Sequence, residues 1–131
     1  MSSVDVARRY LQTLSGDDPD AVAALVADDF RNEHLSALGS NSIGRDEYRR
    51  RLPGFMETLA GRRYDVIDVM HEDRDDGSAE VVVRYRLTAT AEGTAIDIPG
   101  MMWITVADGA ISRRVDCWDS QTFLRQTGAA P

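Results

Sequence analysis

The sequence predicts an α+β fold, with helices first and a curved antiparallel sheet after them. Two observations carry this. Up to about residue 59 the apolar side chains recur at helical spacing, and from Arg62 onward they alternate. The alternating runs are separated by Asp75-Asp76-Gly77, Glu92-Gly93 and Asp108-Gly109, which are turn and hairpin signals. A strongly bent sheet with helices closed over one face makes a cone-shaped roll. Its apolar interior is the default place to look for a small-molecule site.

The elements follow in order. Val4, Ala7, Leu11 and Leu14 share one helical face with Tyr10 on its flank, and Ser2 with Asp5 forms a capping box before them. Asp18-Pro19 reads as N-cap and first residue of a second helix, which buries Val22, Leu25 and Val26 and ends near Asp28-Asp29. Residues 30–35 form a short strand or extended turn, and residues 38–44, small and polar, a loop. Residues 46–59 form a third helix with Tyr48, Leu52, Phe55, Met56 and Leu59 on one face, and Pro53 should kink or interrupt it.

Residues 64–71 are the first long strand. Ala79, Val81, Val83, Tyr85, Leu87 and Ala89 alternate with polar residues along the next one. Ile96, Ile98, Met102, Ile104 and Val106 mark a third strand, in which Pro99-Gly100 suggests a bulge or bend. Residues 110–118 are the last strand and residues 120–126 a terminal helical turn, with a loose tail from about residue 128. No repeat or linker interrupts residues 1–131, so one domain is expected.

At 131 residues the chain is long enough to bury a core without disulfides or metal. A net charge of −7 argues against nucleic acid and against an anionic membrane surface as partners. The single cysteine, Cys117, has no partner for an internal disulfide, and the N-terminus carries no apolar leader, so a cytoplasmic protein is expected. His34 and His71 stand far apart without ligand spacing, so neither a metal nor a cofactor is expected.

The most informative residue is Asp116, in the last strand beside Cys117 and Trp118. A strand is a poor place for an aspartate, and a buried carboxylate is costly unless it is paired. Asp116 is therefore a candidate general acid/base, or else the structural partner of Arg114, two residues earlier on the same strand face. His34 is a candidate proton shuttle because it titrates near neutrality, or a histidine held by Glu33 near a loop.

The order of elements, together with Ala27-Asp28-Asp29-Phe30, Ile43-Gly44-Arg45-Asp46, Asp108-Gly109-Ala110-Ile111 and Asp116-Cys117-Trp118-Asp119, resembles the SnoaL-like branch of the nuclear transport factor 2-like superfamily. The resemblance implies roles for particular residues. Against ketosteroid isomerases, Tyr10 matches the oxyanion tyrosine of the first helix, His34 stands where the base aspartate would be, and Met102 replaces the second oxyanion acid. Against limonene epoxide hydrolases, Asp116 and Asn32 match the aspartate and asparagine that activate water. Phe30 stands at the tyrosine, and Val83 and Tyr85 replace the partner arginine and aspartate. Against SnoaL-like cyclases, Asp116 matches the acid/base aspartate, with His34 approaching from the other wall.

The implied reading is a cofactor-independent isomerase or cyclase for an apolar cyclic or polyketide-like molecule. Asp116 and His34 are its catalytic pair, and Tyr10, Asn32, Phe30, Tyr85, Met102 and Trp118 line its substrate pocket. A non-catalytic binding module and an epoxide hydrolase are the alternatives. Apolar residues on both faces of the late strands, such as Val82 beside Val81 and Trp103 beside Met102, also imply a homodimer.

Overall fold

The computed structural model describes residues 1–129. Three helices come early: α1 (Ser3–Leu14), α2 (Pro19–Ala23) and α3 (Arg45–Thr58). The strands are β1 (Val26–His34), β2 (Ser42–Ile43), β3 (Leu59–Asp73), β4 (Ala79–Ala91), β5 (Thr94–Ala107) and β6 (Ala110–Trp118), and α4 (Ser120–Gln126) follows them. The capping box at α1 is present, with Ser2 and Asp5 bonding reciprocally across the first turn. Asp18 caps α2 and Asp119 caps α4. Of the loose tail, Ala130 and Pro131 lie outside the described residues.

The six strands form one open sheet in the order β2-β1-β6-β5-β4-β3. It is mixed rather than purely antiparallel, because β1 runs parallel to β6. The hairpin signals join β3 through β6 and govern those strands alone. A parallel pair needs a long crossover instead of a turn, and the chain supplies it by running through α3 and the whole meander before returning beside β1.

The sheet also overrides the second helix. α2 stops at Ala23, and Val26 to Asp29, expected to be helical, are extended. Pairing of Val26 with Ile111 and burial of Val26 and Phe30 satisfy backbone and side chains together, which outweighs the helical propensity of the alanines. Likewise Ser42–Ile43, expected in a loop, pairs with Arg31 and Asn32. Pro53 sits on the exposed side of α3, and the helix runs through it without interruption.

Curvature comes from bulges, and not where the sequence suggested. β4 and β5 pair without a shift through Pro99-Gly100. The extra residues lie in β3, between Ala60 and Arg63 and between Val66 and Asp68, and in β6 opposite Thr105 and Val106. At Gly100 the absent side chain serves another purpose. A Cβ there would stand 2.3 Å from the Tyr85 hydroxyl, so the glycine lets that ring cross over β5. The β5–β6 hairpin turns on Asp108 and Gly109, both at positive φ, as a tight two-residue turn requires.

The core lies between the inner sheet face and the helices. Ala7, Tyr10, Leu11 and Leu14 of α1 and Tyr48, Leu52 and Met56 of α3 pack on Val81, Val83, Ile98, Met102 and Ile104. The two-residue period places Asn32 and His34 of β1, and Arg114, Asp116 and Trp118 of β6, on the same inner face.

Candidate active site

The parallel register sets Asn32 beside Arg114 and His34 beside Asp116. His34 thus stands on the neighbouring strand of the same wall, where approach from the opposite wall was expected. Asp116 is 3% exposed. The Tyr85 hydroxyl donates to its Oδ1 at 2.6 Å, and Arg114 Nη2 donates to its Oδ2 at 2.8 Å. Arg114 Nη1 donates to Asn32 Oδ1 at 3.0 Å. A guanidinium only donates, so the Asn32 oxygen must face it and the amide nitrogen is left as a donor. Arg114 also lies over the Tyr10 ring at 5.9 Å, and the Tyr10 hydroxyl is hydrogen-bonded to that of Tyr48. Its Nε is buried without a partner.

His34 Nδ1 lies 4.0 Å from Asp116 Oδ2, beyond hydrogen-bond reach. That nitrogen accepts from Trp118 Nε1 at 3.3 Å, so the ring proton sits on Nε2. Burial pushes the His34 pKa down to about 4, helped by the Arg114 charge and opposed by Asp116. His34 is therefore a neutral donor at pH 7, and the His34–Asp116 approach is not an ion pair. Burial and the adjoining carboxylate push the Tyr85 phenol up, which keeps it a donor. Burial opposes the charge on Arg114, but Tyr10 and Asp116 more than offset this, and its pKa lies well above the ordinary value.

Asn32, His34, Tyr85, Arg114, Asp116 and Trp118 line one side of a cavity of about 380 Å³. Its walls are mostly apolar, with Leu52 and Phe55 of α3, Leu87 of β4, Ile96 and Ile98 of β5, and Phe123 of α4. The loop after β1 closes the near side. Ser36 is tied to the Trp118 backbone, and Leu38 N donates to Ser120 Oγ at 3.2 Å. Gly39 is pressed against His34, where a Cβ would come within 2.1 Å of the histidine Cβ.

The SnoaL-like domain family matches residues 7–114, most of the chain. The chain belongs to the SnoaL-like family. The match contains Tyr10, Asn32, His34 and Arg114 and ends two residues before Asp116. A search of the curated proteins finds no match. Among solved structures this SnoaL-like chain is similar to a hypothetical protein with a ketosteroid isomerase-like fold from Catenulispora acidiphila, in complex with trimethylamine. The two are 15% identical with a TM-score of 0.83, over 99% of this chain and 96% of that one. It is similar to a putative SnoaL-like polyketide cyclase from Jannaschia sp., at 19% identity and TM-score 0.79, over 98% and 92% of the two chains. An LEH-like epoxide hydrolase from M. tuberculosis is 21% identical with a TM-score of 0.74, over 95% and 91%. At these identities the likeness concerns the fold.

Of the residues singled out from the SnoaL-like resemblance, Asp116, His34, Asn32, Tyr85 and Trp118 line the cavity together. Tyr10, Phe30 and Met102 do not line it. They are fully buried behind it, Tyr10 under Arg114, Phe30 against the Tyr48 ring at 4.8 Å, and Met102 in register with Asp116. Tyr48 and Tyr64 line the cavity but read in the sequence as ordinary core and strand residues. Arg114 reads in the sequence as a structural partner of Asp116, and its two-residue spacing from Asp116 puts both on one face, so the same signal marks it as a site residue. Among the described residues no cluster of three or more His, Cys, Asp or Glu is placed to hold a metal, and no helix is long and apolar enough to cross a membrane.

Proposed function

We propose that this SnoaL-like chain is a cofactor-independent acid/base enzyme acting on a small, largely apolar cyclic or polyketide-like molecule. The observation that carries this reading is the Asp116 carboxylate lining a largely apolar cavity together with Asn32 and His34, whose amide nitrogen and Nε2 are donors not used by the contacts to Arg114 and Trp118. A substrate carbonyl bound to those donors presents its α-carbon to Asp116. The carboxylate takes the α-proton, the C–H electron pair becomes the enolate double bond, and the donors hold the charge that develops on oxygen. Return of the proton to another carbon gives an isomer. Attack of the enolate carbon on a second carbonyl closes a ring. The solved relatives described as polyketide cyclase and ketosteroid isomerase-like support the choice of chemistry by analogy of fold.

Two other readings each have an observation behind them. Asn32, Asp116 and His34 all line the cavity, a set of polar groups that suits activation of a water for epoxide opening, and a relative is described as an epoxide hydrolase. Asp116 is already engaged by Arg114 at 2.8 Å and by the Tyr85 hydroxyl, an arrangement that also suits a structural role in a binding module. A thermal-shift screen of steroids, polyketides and terpenoids identifies a ligand first. Incubation with that ligand should then give an isomer or a ring-closed product. The Asp116→Asn variant should lose roughly a hundredfold or more of the rate. A diol product favours epoxide opening, and a ligand recovered unchanged favours the binding module.

We also infer a homodimer through the outer sheet face. Met70, Val82, Trp103 and Val115 form one cross-strand row there, with Met70 76% and Trp103 51% exposed. Arg84 and Arg113 flank the row together with Asp68 and Glu80, so the face carries both signs and complements a second copy of itself. Light scattering should give twice the chain mass at micromolar concentration. A monomer there overturns this inference.

A further inference from the structure

We propose that Arg114 sets the charge specificity of the pocket, admitting neutral molecules and turning away cations and anions alike. The inference rests on the reading of this cavity as a substrate site. The rings of Tyr48, Tyr64, Tyr85 and Trp118 line the space around the Asp116 carboxylate. An anion at the base of aromatic walls is the arrangement that holds an alkylammonium ion. Here the chain supplies the cation itself. The Arg114 guanidinium is 2.8 Å from Asp116 and lies over the Tyr10 ring, and both charged side chains are buried.

The consequences differ by ligand charge. An incoming ammonium finds Asp116 already paired and meets the guanidinium charge behind it. An incoming carboxylate meets Asp116 and finds Nη1 and Nη2 of Arg114 already bonded to Asn32 and Asp116. Nε has no accessible surface from which to receive it, and the like charge of Asp116, 2.8 Å from Nη2, opposes a second carboxylate at the same fork. Either ion loses its hydration without gaining a counter-charge that is free to pair with it. Arg51, the other cation at the cavity, is exposed and held by Glu47 and Ser40. A neutral carbonyl compound avoids these costs and still meets the free donors of Asn32 and His34. Arg114 cannot swing away cheaply, because Asn32 and Asp116 fix its fork at both ends.

Three molecules of nearly one shape separate the cases. They are para-tert-butylacetophenone, which is neutral, para-tert-butylbenzoate, an anion, and para-acetylphenyl-trimethylammonium, a permanent cation. Titration calorimetry with the full chain should rank the ketone first, with each ion at least about tenfold weaker. In Arg114→Gln, which leaves Asp116 without its cation, the trimethylammonium compound should gain at least about tenfold relative to the ketone. Equal binding of all three by the unmodified chain overturns the charge selection alone. An unchanged ranking in a folded Arg114→Gln overturns Arg114 as its source. If circular dichroism shows Arg114→Gln unfolded, the ranking by the unmodified chain decides. Failure of all three to bind overturns the substrate-site reading, and this inference with it.

Discussion

Arg62 and Arg114 are both buried cations, yet the first engages all five of its donors, four of them on backbone carbonyls, while the second bonds only two side chains, both of which line the cavity. Arg62 Nε donates to Leu14 O at 2.8 Å, and Nη1 donates to Met56 O at 3.2 Å and Leu59 O at 3.1 Å. Nη2 donates to Gly16 O and to Asp17 Oδ1. These five contacts use the five N–H bonds of a guanidinium. Four end on carbonyls at the C-terminal ends of α1 and α3, where helices leave acceptors unpaired and the macrodipole favours a cation. Arg114 instead holds an asparagine and a carboxylate that face a cavity, and its Nε is orphaned. The difference separates two uses of a buried charge. One closes the fold and offers nothing further, while the other orients groups whose remaining bonding capacity is open to a ligand.

The comparison is broken most directly at Arg62. In Arg62→Met the carbonyls of two helix ends lose their donor together, and each unsatisfied acceptor is costly. A loss of about 3–5 kcal/mol in urea unfolding is expected, as for breaking a buried charged network. Ligand binding by whatever fraction stays folded should be unaltered. If Arg62→Met unfolds at the urea concentration of the unmodified chain, the clamp is not what holds the helix ends.

At Arg114 the expected pattern is different. Asp116→Asn keeps an oxygen for Tyr85 or Arg114 but leaves the guanidinium without its counter-charge, and should cost on the order of 2 kcal/mol. Replacing the pair together, Arg114→Met with Asp116→Leu, should restore most of that stability, because a buried ion pair exchanged for apolar side chains is often neutral or stabilising. The double variant should be inactive all the same. A double-mutant cycle with no coupling between the two positions would show that the pair is not the unit inferred from their 2.8 Å contact.

Much of the site could be read from alternation. Arg114 with Asp116, and Asn32 with His34, are spaced by two in extended segments, so each pair shares a face. Their meeting could not be read. Asn32 and Arg114 are 82 residues apart, and no turn signal links β1 to β6, since parallel neighbours are joined only through the rest of the fold. Arg62 was hidden for another reason. Next to Arg63 it looks like solvated charge at a strand start, and only the bulge at Gly61 turns it inward onto the helix ends. The end of α2 and the existence of β2 were likewise decided by sheet pairing, which local sequence does not encode. The hairpins, the capping box and the last strand were legible because each is a local device.

The smallest expected effect concerns His34, and it sharpens the same comparison through a neighbour. Burial and the Arg114 charge hold its pKa near 4, below the ordinary 6.5. Between those values the unfolded chain binds more protons than the folded one, so stability rises with pH across the window. The contribution is complete above pH 6.5 and is lost as pH falls toward 4. The ring has a partly exposed edge, so solvent reduces the effect to the order of 1–2 kcal/mol. Thermal unfolding of the unmodified chain should weaken more between pH 6.5 and 4 than that of His34→Gln, which has no proton to take up in that window. In Arg114→Gln the His34 resonance should titrate at higher pH, since one of the influences that hold it down is gone. In Arg62→Met it should not move, because Arg62 is bonded to helix ends rather than to the site. Equal displacement of the His34 titration in both variants would mean that Arg114 acts on the site only through general stability.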